Sequence, residues 1–366
     1  MSKKEKHLSQ FQLAMRQFGR NRLAIFCFWI LVILYLSAAF ADFLSPYSYN
    51  NEDRNYSYCP PTKIHFFENR KPVRPHIYGT HLTFNEIHKR VYVAEIKRRH
   101  DIKFFVKGDE YRLLGFFPAR LHLFGVDAPG RIHLLGADSR GRDLLSRILF
   151  GARVSLSIGV AGVFISFIFG LLVGGVAGYY GGTTDNILMR LCEMFMMVPG
   201  FYLMLALRAA FPPDLNSLQV YFLIVVIFSF IGWASLARVV RGMSISLKER
   251  EYVLAAKAVG LSDFAIITRH ILPHTVSYSI VAMAMSIPGY ILGESALSLL
   301  GLGIQDPYAS WGNLLSEAMG IVYIKFAPWI LLPGLFIFVT VICFNVIGDA
   351  LRDVMDPLLK MEGKAP

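Results

Sequence analysis

Three groups of residues have the type and spacing to do chemistry. Glu193 and Glu294 lie inside long apolar blocks, with Asn345 a third polar position of the same kind. A carboxylate at membrane depth is costly and normally faces protein or water, which makes it a candidate for lining a solute path. The structural alternative is a hydrogen bond to a neighbouring helix. Glu294 comes 18 residues after the start of its block at 276, roughly 27 Å along a helix and so near its far end.

His270 and His274 stand four apart, a spacing that can present two metal ligands on one helix face. Pro273 falls between them and breaks that face, and two ligands fall short of a normal coordination set. Cys27, Cys59, Cys192 and Cys343 offer no external pair and no metal-ligand spacing, and are read as structural. No metal site is expected.

The third group is Glu251, Ala255, Ala256 and Gly260, in the string EYVLAAKAVGLSDFAIITRHILP at residues 251–273. Lys248 to Val259 reads as a helix, with Glu251, Ala255 and Val259 on one face at a spacing of four. Gly260 supplies the left-handed position that ends a helix, Ser262 can cap the next one, and Pro273 is expected to stop that one at Leu272. Ala255, Ala256 and Ala258 give the first helix a slim surface that can enter a groove on another protein. A hairpin lying unpartnered at the membrane surface has the same composition.

The elements that would position these groups are membrane spans. At 54% hydrophobic residues the chain is too apolar for an ordinary soluble domain, and a spanning helix needs about 20 apolar residues. Six blocks qualify: 23–43, 154–178, 188–211, 218–240, 276–301 and 327–348. The block at 23–43 is read as a retained anchor, because Leu23 to Ala41 is longer than a signal-peptide core. Small residues mark helix contact faces: Ser155, Gly159, Gly162, Ser166, Gly170 and Gly174 on the second block, and Ser279, Ala282, Ser286, Gly289, Gly293 and Ala296 on the fifth.

The formal charge of +11 sits in the N-terminus, one long loop and the inter-block segments. That is a topological pattern, and no nucleic-acid partner is expected. Basic flanks include Arg16, Arg20 and Arg22, the 238–275 connection, and Arg352, Lys360 and Lys364, so both termini are expected in the cytoplasm. The expected organisation is a 1–22 cytoplasmic segment, a 23–43 first span, a 44–150 external loop, and a 151–350 five-span core with a cytoplasmic loop at 241–275. A 351–366 cytoplasmic tail follows. The fold class is all-α polytopic, with a small β-rich external insertion. There, VYVAEI at 91–96 alternates like a strand, and IKFFV, a KGDE turn and YRLL over 102–114 read as a hairpin. No G-x-x-x-x-G-K-[ST], H-E-x-x-H or G-x-S-x-G string occurs, and the chain is not read as an enzyme.

The E-x-x-x-A-A motif, with Gly260 nine residues after Glu251, resembles the EAA loop of ABC-importer permeases. LLGADSRGRDLLSRILFGARVSLSIG at 134–159, SALSLLGLGIQDPYASWGNLL at 295–315 and FNVIGDALRDVMDP at 344–357 resemble segments of dipeptide and oligopeptide permeases. Together they cover nearly the whole chain and resemble the C-type subunit of the peptide/nickel family. The external loop of about 100 residues is a departure, being longer than in the typical subunit.

The resemblance implies a type I importer fold in a bacterial inner membrane, with Glu251, Ala255, Ala256 and Gly260 coupling to an ATPase. It also implies a second, B-type permease, two cytoplasmic ATPase subunits that bind ATP and Mg, an external substrate-binding protein and a peptide substrate. No cofactor is bound by this chain itself. A nickel or other small-solute permease is the neighbouring reading. A stand-alone secondary transporter is the alternative from another class, although only Glu193 and Glu294 could serve it as coupling carboxylates. A membrane-anchored sensor would need a cytoplasmic signalling domain, and six spans leave none.

Overall fold

The computed structural model describes residues 17–68, 70–84, 90–212 and 214–355. The basic run before residue 17 and the tail after residue 355 lie outside them. Among the described residues, five helical segments are long and apolar enough to cross a bilayer: Arg22–Ala39, Leu144–Tyr180, Ser217–Leu247, Asp263–Leu299 and Pro328–Met355. A sixth candidate is a bent pair. In chain order the helices are α1 (Arg22–Ala39), α2 (Ala41–Leu44), α3 (Leu144–Tyr180), α4 (Gly182–Met197), α5 (Gly200–Ala209), α6 (Ser217–Leu247), α7 (Glu251–Ala258), α8 (Asp263–Ile266), α9 (Leu272–Leu299), α10 (Trp311–Ser316), α11 (Ile321–Phe326) and α12 (Leu332–Met355). The fold is a mostly helical polytopic membrane protein with a small β insertion after its first span.

The axis of the bundle is α3. Asp143 caps it by accepting from the backbone and hydroxyl of Ser146, and Gly181, at φ +67°, ends it. Its 37 residues extend about 55 Å, well beyond a hydrocarbon core of about 30 Å. The helix starts ten residues before the apolar block at 154, because Arg147 and Arg153 interrupt the hydropathy without interrupting the helix.

The small-residue stripe of α3 is consumed inside the chain. A Cβ at Gly174 would lie 2.4 Å from the Ala237 carbonyl oxygen, and one at Gly178 2.6 Å from that of Arg241, so α3 and α6 meet backbone to backbone. Gly159 and Gly162 face Ile291 and Tyr290 of α9. On α9, by contrast, Ser286 and Gly289 are exposed, and a Cβ at Gly289 would meet nothing within 4 Å among the described residues.

The third block is not one straight span. It divides into α4 and α5, inclined by 87°. Pro199 carries no backbone N–H and forces the residue before it out of helical geometry; Val198 accordingly sits at φ −85°, ψ 125°.

The insertion holds two antiparallel sheets, β1 (His65–Glu68), β2 (Lys71–Phe84) and β3 (Arg90–Asp101) in one, and β4 (Lys103–Leu113) with β5 (Phe117–Gly125) in the other. The expected strand at 91–96 falls inside β3. The expected KGDE turn is corrected: Lys107 to Glu110 lie within β4, where Lys107 pairs with Leu121 and Tyr111 with Ala119, so the strand bulges instead of reversing. The reversal comes at Leu114-Gly115, both at positive φ. The bulge admits the buried His122 ring, which a Cβ on Gly108 would approach to 2.6 Å. His122 contacts the carbonyl oxygens of Ser45 at 2.7 Å and Asp109 at 3.2 Å, fastening this hairpin to the end of the first span.

Candidate functional site

At the far end of α3 from the insertion, the Tyr179 hydroxyl donates to Asp263 at 2.7 Å and so marks where the 251–266 hairpin stands. α7 is shorter than expected, running from Glu251 to Ala258, because α6 continues to Leu247 and Arg250 is extended. Gly260 closes it at φ +84°: the Leu261 amide donates to the Ala256 carbonyl and the Gly260 amide to that of Lys257, a Schellman pair. Ser262 then caps α8 by accepting from the Ala265 amide.

Within the predicted motif, Glu251, Ala255 and Gly260 are exposed and Val259 is 80% exposed. Ala256 differs. It is buried with Val253 against Ile266 and Ile271, so it holds the helix to its base and is not part of the slim outer surface. Leu254, at 53%, and Phe264, at 72%, are apolar and exposed beside Val259. A cluster of this kind on a short hairpin marks a protein contact.

The expected stop at Pro273 is also corrected. Residues Ile267–Ile271 form a π-helical turn, in which the Leu272 amide reaches back to the Ile267 carbonyl. Widening the turn accommodates a proline that lacks an amide and would clash with the preceding turn. The chain therefore runs from Asp263 to Leu299 as one bent helical unit.

α9 borders two cavities, of about 240 and 560 Å³, which share Gly232, Ser286 and Tyr290. Serine and tyrosine hydroxyls on this face, including Ser235 and Tyr278, give it hydrogen-bonding capacity without charge. Glu294 is not part of it. The carboxylate has no exposed surface; it accepts from Ser155 at 2.9 Å and Ser298 at 2.7 Å, and Ser155 in turn accepts from the Trp311 amide. Of the two readings of Glu294, the geometry supports packing: it ties α3, α9 and α10 together. Glu193 is partly exposed and pairs with Arg190 at 2.8 Å and Arg238 at 3.5 Å, and Asn345 is exposed. Among the described residues, no three metal-ligating side chains come together, and all four cysteines are free and buried.

A cluster that sequence reasoning missed lies at the insertion end. Arg142, 1% exposed, donates to Asp138 at 2.6 Å and Asp306 at 3.0 Å, and Arg147 donates to Asp306 at 2.8 Å. The Ser139 hydroxyl donates to Glu317 at 2.8 Å. Burial pushes the Asp306 carboxyl up, but the charges of Arg147 and Arg142 outweigh it and hold the group below the usual carboxylate range. Burial beside Asp138 raises Glu317. The alternating charges of ADSRGRDLLSR were visible, but partners 164 positions apart were not.

Residues 170–361 match the family model described as the binding-protein-dependent transport system inner membrane component. The chain belongs to this family of transport permeases. Residues 9–61 of the permease match the N-terminal TM domain of oligopeptide transport permease C. It is 32% identical to the dipeptide transport system permease protein DppC of Bacillus subtilis, over 98% of this chain and 89% of that one. It is 42% identical to the oligopeptide permease OppC of Haemophilus influenzae, over 64% of this chain and 70% of that one. Against the glutathione transport permease GsiD of Pectobacterium atrosepticum the figure is 41%, over 69% and 77%. The permease is thus a non-catalytic, multi-pass inner-membrane component of an ATP-binding cassette importer, and it works with ATPase and other transporter subunits.

Proposed function

We propose that the permease forms half of a translocation path for short peptides, and that partner ATPases drive it through the 251–266 hairpin. The observation that carries this reading is mechanical. The hairpin presents Glu251, Ala255, Val259 and Phe264 outward and continues without a stop into α9, whose Ser286 and Gly289 border the hydroxyl-lined cavities. Closing of two ATPases, each binding ATP and Mg, would press on α7 and shift α9. The exposed half of the α9 stripe then faces a second, B-type permease, and an external binding protein delivers solute at the insertion end.

Orientation follows from charge. The 238–275 connection carries Arg238, Arg241, Lys248, Arg250, Lys257 and Arg269, a basic bias that supports a cytoplasmic hairpin and cytoplasmic termini. Relatives named for oligopeptides, dipeptides and glutathione point to a peptide substrate. Uncharged Ser and Tyr lining suits a path that passes varied side chains. ATP-driven uptake of a labelled dipeptide by the complete complex in proteoliposomes is the test. Uptake of nickel without peptide would replace peptides by a metal cargo, and uptake by the chain alone without any ATPase would make it a secondary transporter.

A further inference from the structure

The β4–β5 hairpin carries an apolar tip that none of the described residues covers. Phe116 is 82% exposed, and Leu114 and Phe117 beside it, with Phe104 and Phe105 on the same hairpin, are each at least half exposed. Exposed apolar side chains clustered at the turn mark a binding surface, while Phe104 and Phe105 stand at the opposite end of the hairpin, where Phe104 pairs with Phe124. The same hairpin is cationic at its flanks: Lys107 and Arg112 are exposed and form no ion pair among the described residues, while Arg120 pairs with Glu110. The neighbouring β2–β3 ribbon is more strongly cationic, with Lys71, Lys97 and Arg98 exposed along it beside scattered apolar residues such as Phe84 and Ile96.

The position of this tip names its partner. β4 and β5 pack on α2, immediately after the first span; Phe43 and Phe105 have ring centroids 6.3 Å apart, and His122 holds Ser45. Leu113, at the base of the tip, closes an almost wholly apolar cavity of about 620 Å³ with Ile33, Leu36, Phe40, Phe43 and Leu44. Ile33 and Leu36 are on the exposed face of α1, a membrane-spanning helix, and Phe40, the residue that caps it, is exposed too. The hairpin's apolar surface therefore continues the lipid-facing surface of a span. Aromatic side chains favour the interface and basic ones the headgroups.

We propose that the β4–β5 hairpin is a membrane finger: Leu114, Phe116 and Phe117 enter the bilayer interface beside α1, Lys107 and Arg112 meet lipid phosphates, and the Leu113–Ile33 cleft takes a lipid acyl chain. Insertion is shallow. A two-stranded ribbon has open backbone edges that hydrocarbon cannot satisfy, so only the tip descends. The finger fixes the tilt of the insertion over the bundle and sets how the enlarged external face is presented.

The test places a nitroxide at Phe116→Cys, at Leu114→Cys and, as the aqueous control, at Lys97→Cys, in the full chain co-purified with its partner subunits and reconstituted in liposomes. The native cysteines are buried, so the introduced thiol takes the label. Oxygen should collide with the labels at 114 and 116 more than a nickel chelate does, with the order inverted at 97. Arg112→Glu should shift the label at 116 toward water in anionic vesicles and much less in neutral ones. Aqueous collision at 114 and 116 equal to that at 97 overturns the proposal. So does shielding from both reagents, which would mean a protein partner covers the tip.

Discussion

The two ends of the permease solve opposite problems. At the insertion end, buried charge is paired within the chain: Arg142 meets Asp138 and Asp306, Arg147 meets Asp306, and Glu317 accepts from Ser139. At the hairpin end, apolar side chains are left in the open, with Val259, Leu254 and Phe264 outward, while Val253 and Ala256 hold α7 to its base and Tyr252 packs on His274. At the insertion end, removing Arg142 leaves the buried Asp138 carboxylate short of its nearest charge partner in low dielectric. The other end leaves apolar side chains exposed on a hairpin that is continuous with α9. The contrast separates residues that keep the fold from residues that keep a partner.

The sharpest way to break this contrast is Arg142→Ala. It leaves Asp138 and Asp306 short of a buried partner and should cost about 3–5 kcal/mol, read as a lowered thermal midpoint of the purified chain in detergent. A smaller effect is expected at Gly260→Val, where φ +84° admits a β-branched residue only with strain of about 1–3 kcal/mol. The loss should be confined to the hairpin, seen as faster amide exchange over 251–262 with an unchanged global midpoint. Ser262→Ala removes the α8 cap and should cost about 1 kcal/mol or less, given its exposure, with the same local signature.

The mildest effect is that of pH. The folded carboxyl of Asp306 is held below its unfolded value, about 3.9 for an aspartate. A depressed group contributes stability that is full above the unfolded value and lost as pH falls through the folded one. The Asp306 contribution should therefore be constant above about pH 5 and be lost only below about 4. The raised Glu317 carboxyl acts in the opposite sense, its share of stability present at low pH and lost as pH rises through its folded value. Amide exchange around 138–147 and 306 checks this. Loosening on acidification that begins near pH 6 would point to a different group.

Much of this was legible in the sequence, and each miss has a local cause. Apolar runs are read by summing, so the spans and the β insertion emerged. Summing also hid the break at Pro199 and the helical residues of α3 before 154. KGDE has turn composition, but the long-range demand of the buried His122 ring made it a bulge. Pro273 breaks a regular α-helix, yet one π turn absorbs it, and no propensity scale sees that. The inward side of Ala256 follows from its spacing of three from Val253, a face the sequence reading did not draw. Contacts between residues 142 and 306 left no local trace.

The claim that the 251–266 hairpin is an ATPase seat is tested most directly by Val259→Glu combined with Phe264→Glu in the co-expressed transporter. Both side chains are exposed, so the chain's own thermal midpoint should move by about 0.5 kcal/mol equivalent or less. The expected result is a folded permease that no longer co-purifies with its ATPase subunits and shows no ATP-driven uptake. A double variant that retains its ATPases and transports at the unmodified rate would contradict the assignment.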